Sequence, residues 1–369
     1  MTRSETFNFS AGPSVLPEEV LRQAQAELLN YHGTGMSVME MSHRSQAFSD
    51  IFQDVKARFR AALSVPDTHE ILFLQGGGTA QFSMIPLNLM GEQGTADYAV
   101  TGHFSGNAAK EAEKYGRVHI AADTSTCGHT RIPQQSELQL DAHASYFYYC
   151  ANNTIYGTEW QYVPETSRVP LACDMSSDIL SRPVDVSKYG VIFAGAQKNA
   201  GPAGVTVVIV REDLIANGPA HADVCPTYLD MRVQAEKGSM YNTPNTFGIY
   251  LCGKVFRWIE QTDGLVAMAQ RNRAKADLLY RTIDDSDLFQ GTADPMSRSM
   301  SNVTFRTCDA ETDEAFIAYA RERGIEGIKG HRMAGGLRAS VYNAVTMDSV
   351  GALATCMREF EASRGGRSI

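Results

Sequence analysis

Paired cysteines are missing from this 369-residue chain. Its seven (Cys127, Cys150, Cys173, Cys225, Cys252, Cys308 and Cys356) are scattered, odd in number and without a CxxC spacing. That pattern fits reduced thiols and argues against a disulfide framework or a zinc site. Basic charge is scarce too. With 33 Lys and Arg against 42 Asp and Glu, the net charge is -9, which disfavours a nucleic-acid or anionic-membrane surface. An anionic ligand would have to find its positive charge in a local pocket. Long apolar runs are absent: the longest β-like one, residues 205–210, is far too short to span a bilayer. The opening "MTRSETFNFSAGPSVLP" has no apolar core of a secretory signal. No internal repeat, heptad array or low-complexity tract interrupts the chain. These absences lead to the expectation of a cytoplasmic globular protein, and 43% hydrophobic residues supply ample core.

Hydrophobic periodicity then gives the organisation. "LPEEVLRQAQAELLNYHGTG" reads as a helix, with Pro17 at its first position, Val20, Ala24 and Leu28 on one face, and Gly33 beyond its end. "SQAFSDIFQDVKARFRAAL" is clearer, since Phe48, Phe52, Val55, Phe59 and Leu63 keep helical spacing and Pro66 follows. Short apolar runs alternate with helical stretches: "EILFLQ", "DYAVTG", "YFYYCAN", "VPLACD", "GVIFAG" and "GVTVVIV". Continuous rather than alternating hydrophobicity predicts strands buried on both faces, hence an α/β region with a largely parallel sheet, over about residues 17–260. After Thr262 the pattern changes to helix, strand, strand and a last helix near residues 348–363. Residues 261–369, joined by residues 1–16, therefore read as a smaller α+β domain. The crevice between two such domains is a common place for a small-molecule site.

Three features carry chemistry. "FLQGGGTAQF" passes from a strand through Gly76, Gly77 and Gly78 into a helix start at Thr79. Its exposed N–H groups and positive dipole end suit a phosphate, although the loop matches neither a P-loop nor GxGxxG. "LACDMSSD" puts Asp174 at a strand end, where a plain helix cap is the bland alternative. "FAGAQKNAGPAG" puts Lys198 between two apolar strands, 24 positions further on. On a parallel sheet both residues sit near the carboxyl ends of strands, where ligands bind. A lysine, an aspartate and a phosphate-cradling loop on one sheet edge suit pyridoxal 5′-phosphate (PLP). Lysine forms its Schiff base, aspartate pairs with the pyridinium nitrogen, and the loop holds its phosphate. Two His-Arg pairs, "MSHRSQ" (His43, Arg44) and "KGHRMAGGLRAS" (His331, Arg332, then Arg338), point to an anionic substrate in an otherwise acidic chain. Surface charge is the simpler reading of either pair alone; the glycines around Arg338 and the strand after it make it the better anchor.

Longer blocks carry a resemblance. "FNFSAGPSVLPEEVL", "GMSVMEMSHRSQAF", "LFLQGGGTAQF", "ADYAVTGHFS", "DMSSDILSRPVDVSKYGVIFAGAQKNAGPAGVTVVIVRED", "YNTPNTFGIYLCG" and "GIKGHRMAGGLRASVYNA" run in order from Phe7 to near the C-terminus. Together they resemble the phosphoserine aminotransferases, within the class-V aminotransferase family. The resemblance implies a fold-type I transferase: a large domain with a mainly parallel seven-stranded sheet between helices, a smaller C-terminal domain, and a homodimer with active sites at the subunit interface. It makes Lys198 the Schiff-base lysine with Gln197 beside it, Asp174 the partner of the pyridine nitrogen, and Thr154 of "NNTIYG" the partner of the ring's phenolic oxygen side. Gly78 and Thr79 hold the phosphate, joined by Asn242 and Thr243 of "YNTP" from the other subunit. Arg338 clamps the substrate α-carboxylate. His43 and Arg44, with His331 and Arg332 from the partner subunit, bind the distal anion. Phe104 of "TGHFSG" stands where the family commonly stacks a tryptophan, Thr79 where some members have arginine, and Asn153 where glutamate is usual.

The implied reaction moves the amino group of L-glutamate to 3-phosphohydroxypyruvate, giving O-phospho-L-serine and 2-oxoglutarate, a step of L-serine biosynthesis. The resemblance also admits 4-phospho-hydroxythreonine as a second substrate. In this scheme Lys198 first anchors the cofactor and then carries the Cα proton. The nearest rival is another fold-type I enzyme, a desulfurase using Cys127 or an aminotransferase for a different acid, and a non-catalytic phosphate-binding module is the rival of another class. No metal is expected.

Overall fold

The computed structural model describes residues 2–91 and 93–364. Seven strands form the central sheet: β1 (His69–Leu74), β2 (Thr95–Val100), β3 (Arg117–Asp123), β4 (Phe147–Cys150), β5 (Leu171–Asp174), β6 (Val191–Gly195) and β7 (Thr206–Arg211), in the order β1-β7-β6-β5-β4-β2-β3. Every adjacent pair is parallel except those of β7, which runs antiparallel to both β1 and β6. The apolar run 205–210 therefore gives a strand buried along nearly its whole length but of opposite direction. A short connection explains it: only residues 196–205 separate β6 from β7, too few for the helical crossover that a parallel pair requires. Strand β3 corresponds to no apolar run singled out above. It is the sheet edge, Ile120 is 40% exposed, and Ala121 is its one buried residue, so its sequence carries little apolar signal.

Helix Gln46–Leu63 buries Phe48, Ile51, Phe52, Val55, Phe59 and Leu63, the predicted stripe plus one residue. Its Ser45 side chain accepts from Phe48 N, and Ser64 ends it in a left-handed turn. The first long helix is Glu18–Glu27, so Pro17 is its cap rather than its first residue. Val20 and Ala24 are buried, but Leu28 lies past the last turn and is exposed. The expected apolar face is thus one residue shorter than the sequence pattern suggested.

A second apolar core gathers helices Gly264–Asp284, Ala310–Arg321 and Met347–Ser363 against the three-stranded sheet of Gln290–Gly291, Asn302–Arg306 and Leu337–Ser340. Phe9 is fully buried in it, and Phe7–Asn8 pairs in parallel with Ile325–Glu326. Between this core and the large sheet runs a buried polar seam. Asn152 donates to Ser177 and to Asn302, and Asn302 donates to Ser340 and the Tyr342 hydroxyl. Buried amides are tolerated because they are paired. No helix among the described residues is long and apolar enough to cross a membrane.

The approach of helix Gln46–Leu63 to helix Thr246–Gln261 is set by Gly253, where an added Cβ would lie 2.5 Å from Val55 Cγ2. Val55 is 2% exposed, and a β-branched side chain in a helix has one strongly preferred rotamer. Gly253→Ala is expected to lower stability by about 1–2 kcal/mol despite the better helix propensity of alanine. In denaturant unfolding, adding Val55→Ala should recover part of that loss. Simple additivity of the two substitutions would refute the contact.

Candidate active site

The parallel register places β5 beside β6 with Asp174 opposite Phe193, so both strands end at the same sheet edge. Asp174 is the last residue of β5 and 5% exposed. One carboxylate oxygen accepts from Ser176 N at 2.8 Å, the cap predicted as the bland alternative. The other has no hydrogen-bond partner among the described residues and faces Gly78, whose missing Cβ would sit 4.0 Å from it. Burial raises the Asp174 pKa, opposed by the Ser176 hydrogen bonds and the Lys198 charge. Ser176 has a second role: its hydroxyl accepts from Gly195 N at 3.0 Å, tying the end of β5 to the end of β6.

Lys198 occupies the turn after β6, half-buried. Its ammonium donates to Thr154 Oγ1 at 2.6 Å and stands 5.7 Å from the Phe104 ring centroid. The backbone of this turn is held from far away in sequence. Ser14 donates from its N to Gln197 O and from its Oγ to Lys198 O. Gly12, at φ +133°, passes so close that a Cβ would meet Lys198 Cγ at 3.2 Å. On the other side Asn199 Oδ1 accepts from Asn343 N, while the Asn343 amide donates to Leu180 O in the turn beyond Asp174. Sequence reasoning missed Ser14, Ser176 and Asn343 as site residues. Ser14 and Asn343 act across more than a hundred residues, with no local pattern to reveal them.

Thr154 joins the amine to a cation. Its carbonyl accepts from Arg338 Nη1 at 3.2 Å. Arg338 is 9% exposed and has no carboxylate partner among the described residues. Burial lowers its pKa. A buried guanidinium without an anion is a site for a carboxylate. Asn153, whose role the sequence left open, donates to Thr101 and Thr158 hydroxyls and packs on Gly102, where an added Cβ would lie 2.7 Å from Asn153 Oδ1. It therefore fixes the turn that carries Thr154 against the start of the helix that carries Phe104.

The glycine loop is as expected, with its helix beginning at Gly77 rather than Thr79. Gly76 caps it at φ +93°, and Gly78 and the exposed Thr79 lie in its first turn. Asn242 and Thr243 are exposed, and Thr243 O accepts from Gln75 beside that loop. His43 is half-buried and Arg44 exposed; no hydrogen bond or ion pair among the described residues brings either to Lys198. Arg332 is exposed, and the His331 ring lies 6.2 Å from that of His103, next to Phe104 in the same chain. Among the described residues no group of three or more His, Cys, Asp and Glu could hold a metal.

The donor set thus suits a flat nitrogen heterocycle with a carbonyl and an anionic arm: an amine for the carbonyl, a buried carboxylate for a ring N–H, an aromatic face, and a helix start for the anion. The aminotransferase class-V family model matches residues 6–353. The chain belongs to this family. It is 51% identical to the phosphoserine aminotransferase of Pseudomonas paraeruginosa, covering 97% of this chain and 99% of that one. Among solved structures, the phosphoserine aminotransferase of Bacillus circulans subsp. alkalophilus aligns with TM-score 0.95 and 46% identity over 98% of this chain and 99% of that one. The PLP-bound phosphoserine aminotransferase of Trichomonas vaginalis aligns with TM-score 0.91 and 39% identity over 96% and 99%.

Just beyond Asp174 lies a buried ionic cluster. Arg182 Nη2 is 3.4 Å from both Glu159 and Asp178, which are 1% and 2% exposed. One guanidinium cannot neutralise two buried carboxylates. Burial, with repulsion from Glu159 and Asp174 against the attraction of Arg182, pushes Asp178 up to about 7. A carboxyl raised above its unfolded value stabilises the fold fully below about pH 4, and that contribution is lost as pH rises through about 7. Relative to Asp178→Asn, the parent is therefore expected to lose a few kcal/mol of stability between pH 4 and pH 7. Parallel stability curves for the two in urea unfolding would contradict this.

Proposed function

We propose that this chain catalyses the phosphoserine aminotransferase reaction, moving the amino group of L-glutamate to 3-phosphohydroxypyruvate through PLP, in L-serine biosynthesis. The observation that carries the reading is Thr154, whose hydroxyl meets the Lys198 amine and whose carbonyl meets Arg338. The proton-moving group and the carboxylate clamp thereby stand on two sides of one residue.

The bound cofactor supplies the carbonyl that captures an amino group and the ring that withdraws electrons. Lys198 would hold that carbonyl, then take the Cα proton and return it to the carbon that bore the carbonyl. Asp174 keeps the ring nitrogen protonated, and its burial is tolerable because a cation would face it. Phe104 would cover a ring face, and Gln197 and Thr154 would contact the ring. Gly78 and Thr79 hold the phosphate, and Arg338 fixes the α-carboxylate. His43, Arg44, His331 and Arg332 receive the distal anion.

His43, Arg44, Asn242 and Thr243 act from the partner subunit in a homodimer. Leu29, Met36, Met39 and Tyr241 support that arrangement by exposing apolar surface: 85%, 42%, 55% and 44%. They lie on neighbouring segments, since Thr246 Oγ1 donates to Val38 O and Tyr31 packs edge-on against Tyr250. The resemblance gives His331 and Arg332 to the partner; the nearness of the His331 ring to His103 supports instead a role in its own chain's site, which leaves His43 and Arg44 to act across the interface. The division into residues 17–260 and residues 1–16 with 261–369 is supported by the separate core around Phe9. Cytoplasmic residence fits seven free cysteines.

In single-turnover reactions, phosphoserine and glutamate should convert the cofactor readily, and alanine and serine poorly. Lys198→Ala should slow conversion by about a thousandfold or more. Near wild-type turnover of that variant would sink the reading. Mixing Lys198→Ala with Arg44→Ala dimers tests the shared site. Random exchange leaves about a quarter of the sites with both residues intact if Arg44 acts across the interface, whereas no recovery is expected if it acts within its own chain.

A further inference from the structure

His103 is absent from every role assigned above, yet it lies within the site. It opens helix His103–Ala112, is half-buried, and packs edge-on against Phe104 with ring centroids 5.6 Å apart. Its ring faces that of His331 at 6.2 Å and 36°. The hydrogen bonds of the two imidazoles fix where their protons point. Asn107 Nδ2 lies 3.1 Å from His103 Nε2. With that amide donating, the neutral ring carries its hydrogen on Nδ1, which has no partner among the described residues. Met333 N donates to His331 Nδ1 at 3.3 Å, so His331 carries its hydrogen on Nε2, also without a partner. Each ring therefore keeps one free N–H donor. Burial, then Arg338, His103 and Arg332, lower the His331 pKa, the mark of a crowded cationic pocket with no anion of its own.

Resting on the function proposed above, we infer that His103 determines specificity in the distal anion site, by donating to a terminal oxygen that a phosphate ester has and a carboxylate lacks. A side-chain carboxylate presents two oxygens in one plane, and a fork of arginine and one histidine satisfies both. A phosphate presents three on a tetrahedral centre. The third points out of that plane and needs a donor of its own. The separation of the two rings is within what one phosphate spans between two N–H···O bonds of roughly 2.8 Å. His103 is thus the group that separates phosphoserine from glutamate among substrates sharing one clamp.

The test measures kcat/KM for phosphoserine and for glutamate in the holoenzyme, with His103→Ala and His103→Asn. The asparagine amide nitrogen sits close to the position of the histidine Nδ1 and restores a donor there. His103→Ala is expected to lower the phosphoserine-to-glutamate ratio about tenfold, the loss of one charge-assisted hydrogen bond. His103→Asn should recover most of it, while the absorbance of bound cofactor stays intact in both. An unchanged ratio in His103→Ala, an equal fall for both substrates, or an asparagine variant as poor as alanine would each overturn the inference. A wild-type enzyme that does not distinguish phosphoserine from serine would overturn the functional reading beneath it, and that result is visible without any variant.

Discussion

A buried carboxylate at the end of a strand, with one oxygen bonded to a backbone N–H, is the constraint from which much of this structure follows. Burying such a charge is unfavourable by several kcal/mol unless a cation or donors meet it. Asp174 receives one donor from Ser176 and the distant field of Lys198. The rest is left for a ligand. To keep the group there, β5 must end beside β6, the following turn must close tightly on Gly195, and the glycine loop must turn at Gly76. The parallel sheet, the Ser176 bridge and the glycine loop each answer that single requirement.

A second layer of organisation comes from pairing buried amides. Asn152, Asn153, Asn199, Asn302 and Asn343 are all buried, and each has at least one polar partner. Apolar packing would join the two cores without fixing their register. Amide pairs fix it, because a shift of one ångström leaves donors and acceptors unmatched in a low-dielectric setting. The cost of such specificity is visible at Arg182, Asp178 and Glu159, where the charges do not balance. The fold holds an electrostatic debt a few ångströms from its most valuable carboxylate.

Much of this was legible in the sequence, for physical reasons. Lys198, Asp174 and the triple glycine each read as ordinary alone, as a loop lysine, a helix cap and a strand–helix turn; they became legible as a set because one sheet edge holding all three suits a single cofactor. Helix Gln46–Leu63 was legible from its stripe. Strand β3 was not, because this edge strand leaves all but Ala121 partly or fully exposed, unlike β1 at the opposite edge. The direction of β7 was hidden because burial on both faces looks alike in parallel and antiparallel strands. Ser14 and Asn343 could not be read at all: small polar residues in loops gain meaning only from what lies across the fold. The aromatic stand-in at Phe104 and the amide at Asn153 read as departures from a family pattern. Their contacts make them parts of one wall, with Asn153 bracing Gly102 at the start of the helix that holds Phe104.

The Ser14 contacts have a consequence in time as well as in space. The peptide around Lys198 is pinned by residues near the start of the chain and by Asn343, some 145 positions downstream (343 − 198). On a ribosome, the seven strands of the sheet are complete once Arg211 has emerged, but the lysine turn is not. It stays unfinished until Asn343 has been made, since contacts so distant in sequence close late. A truncated product can therefore own the sheet, the glycine loop and the lysine and still lack the geometry that would let it react. Competence waits for the segment that carries Asn343.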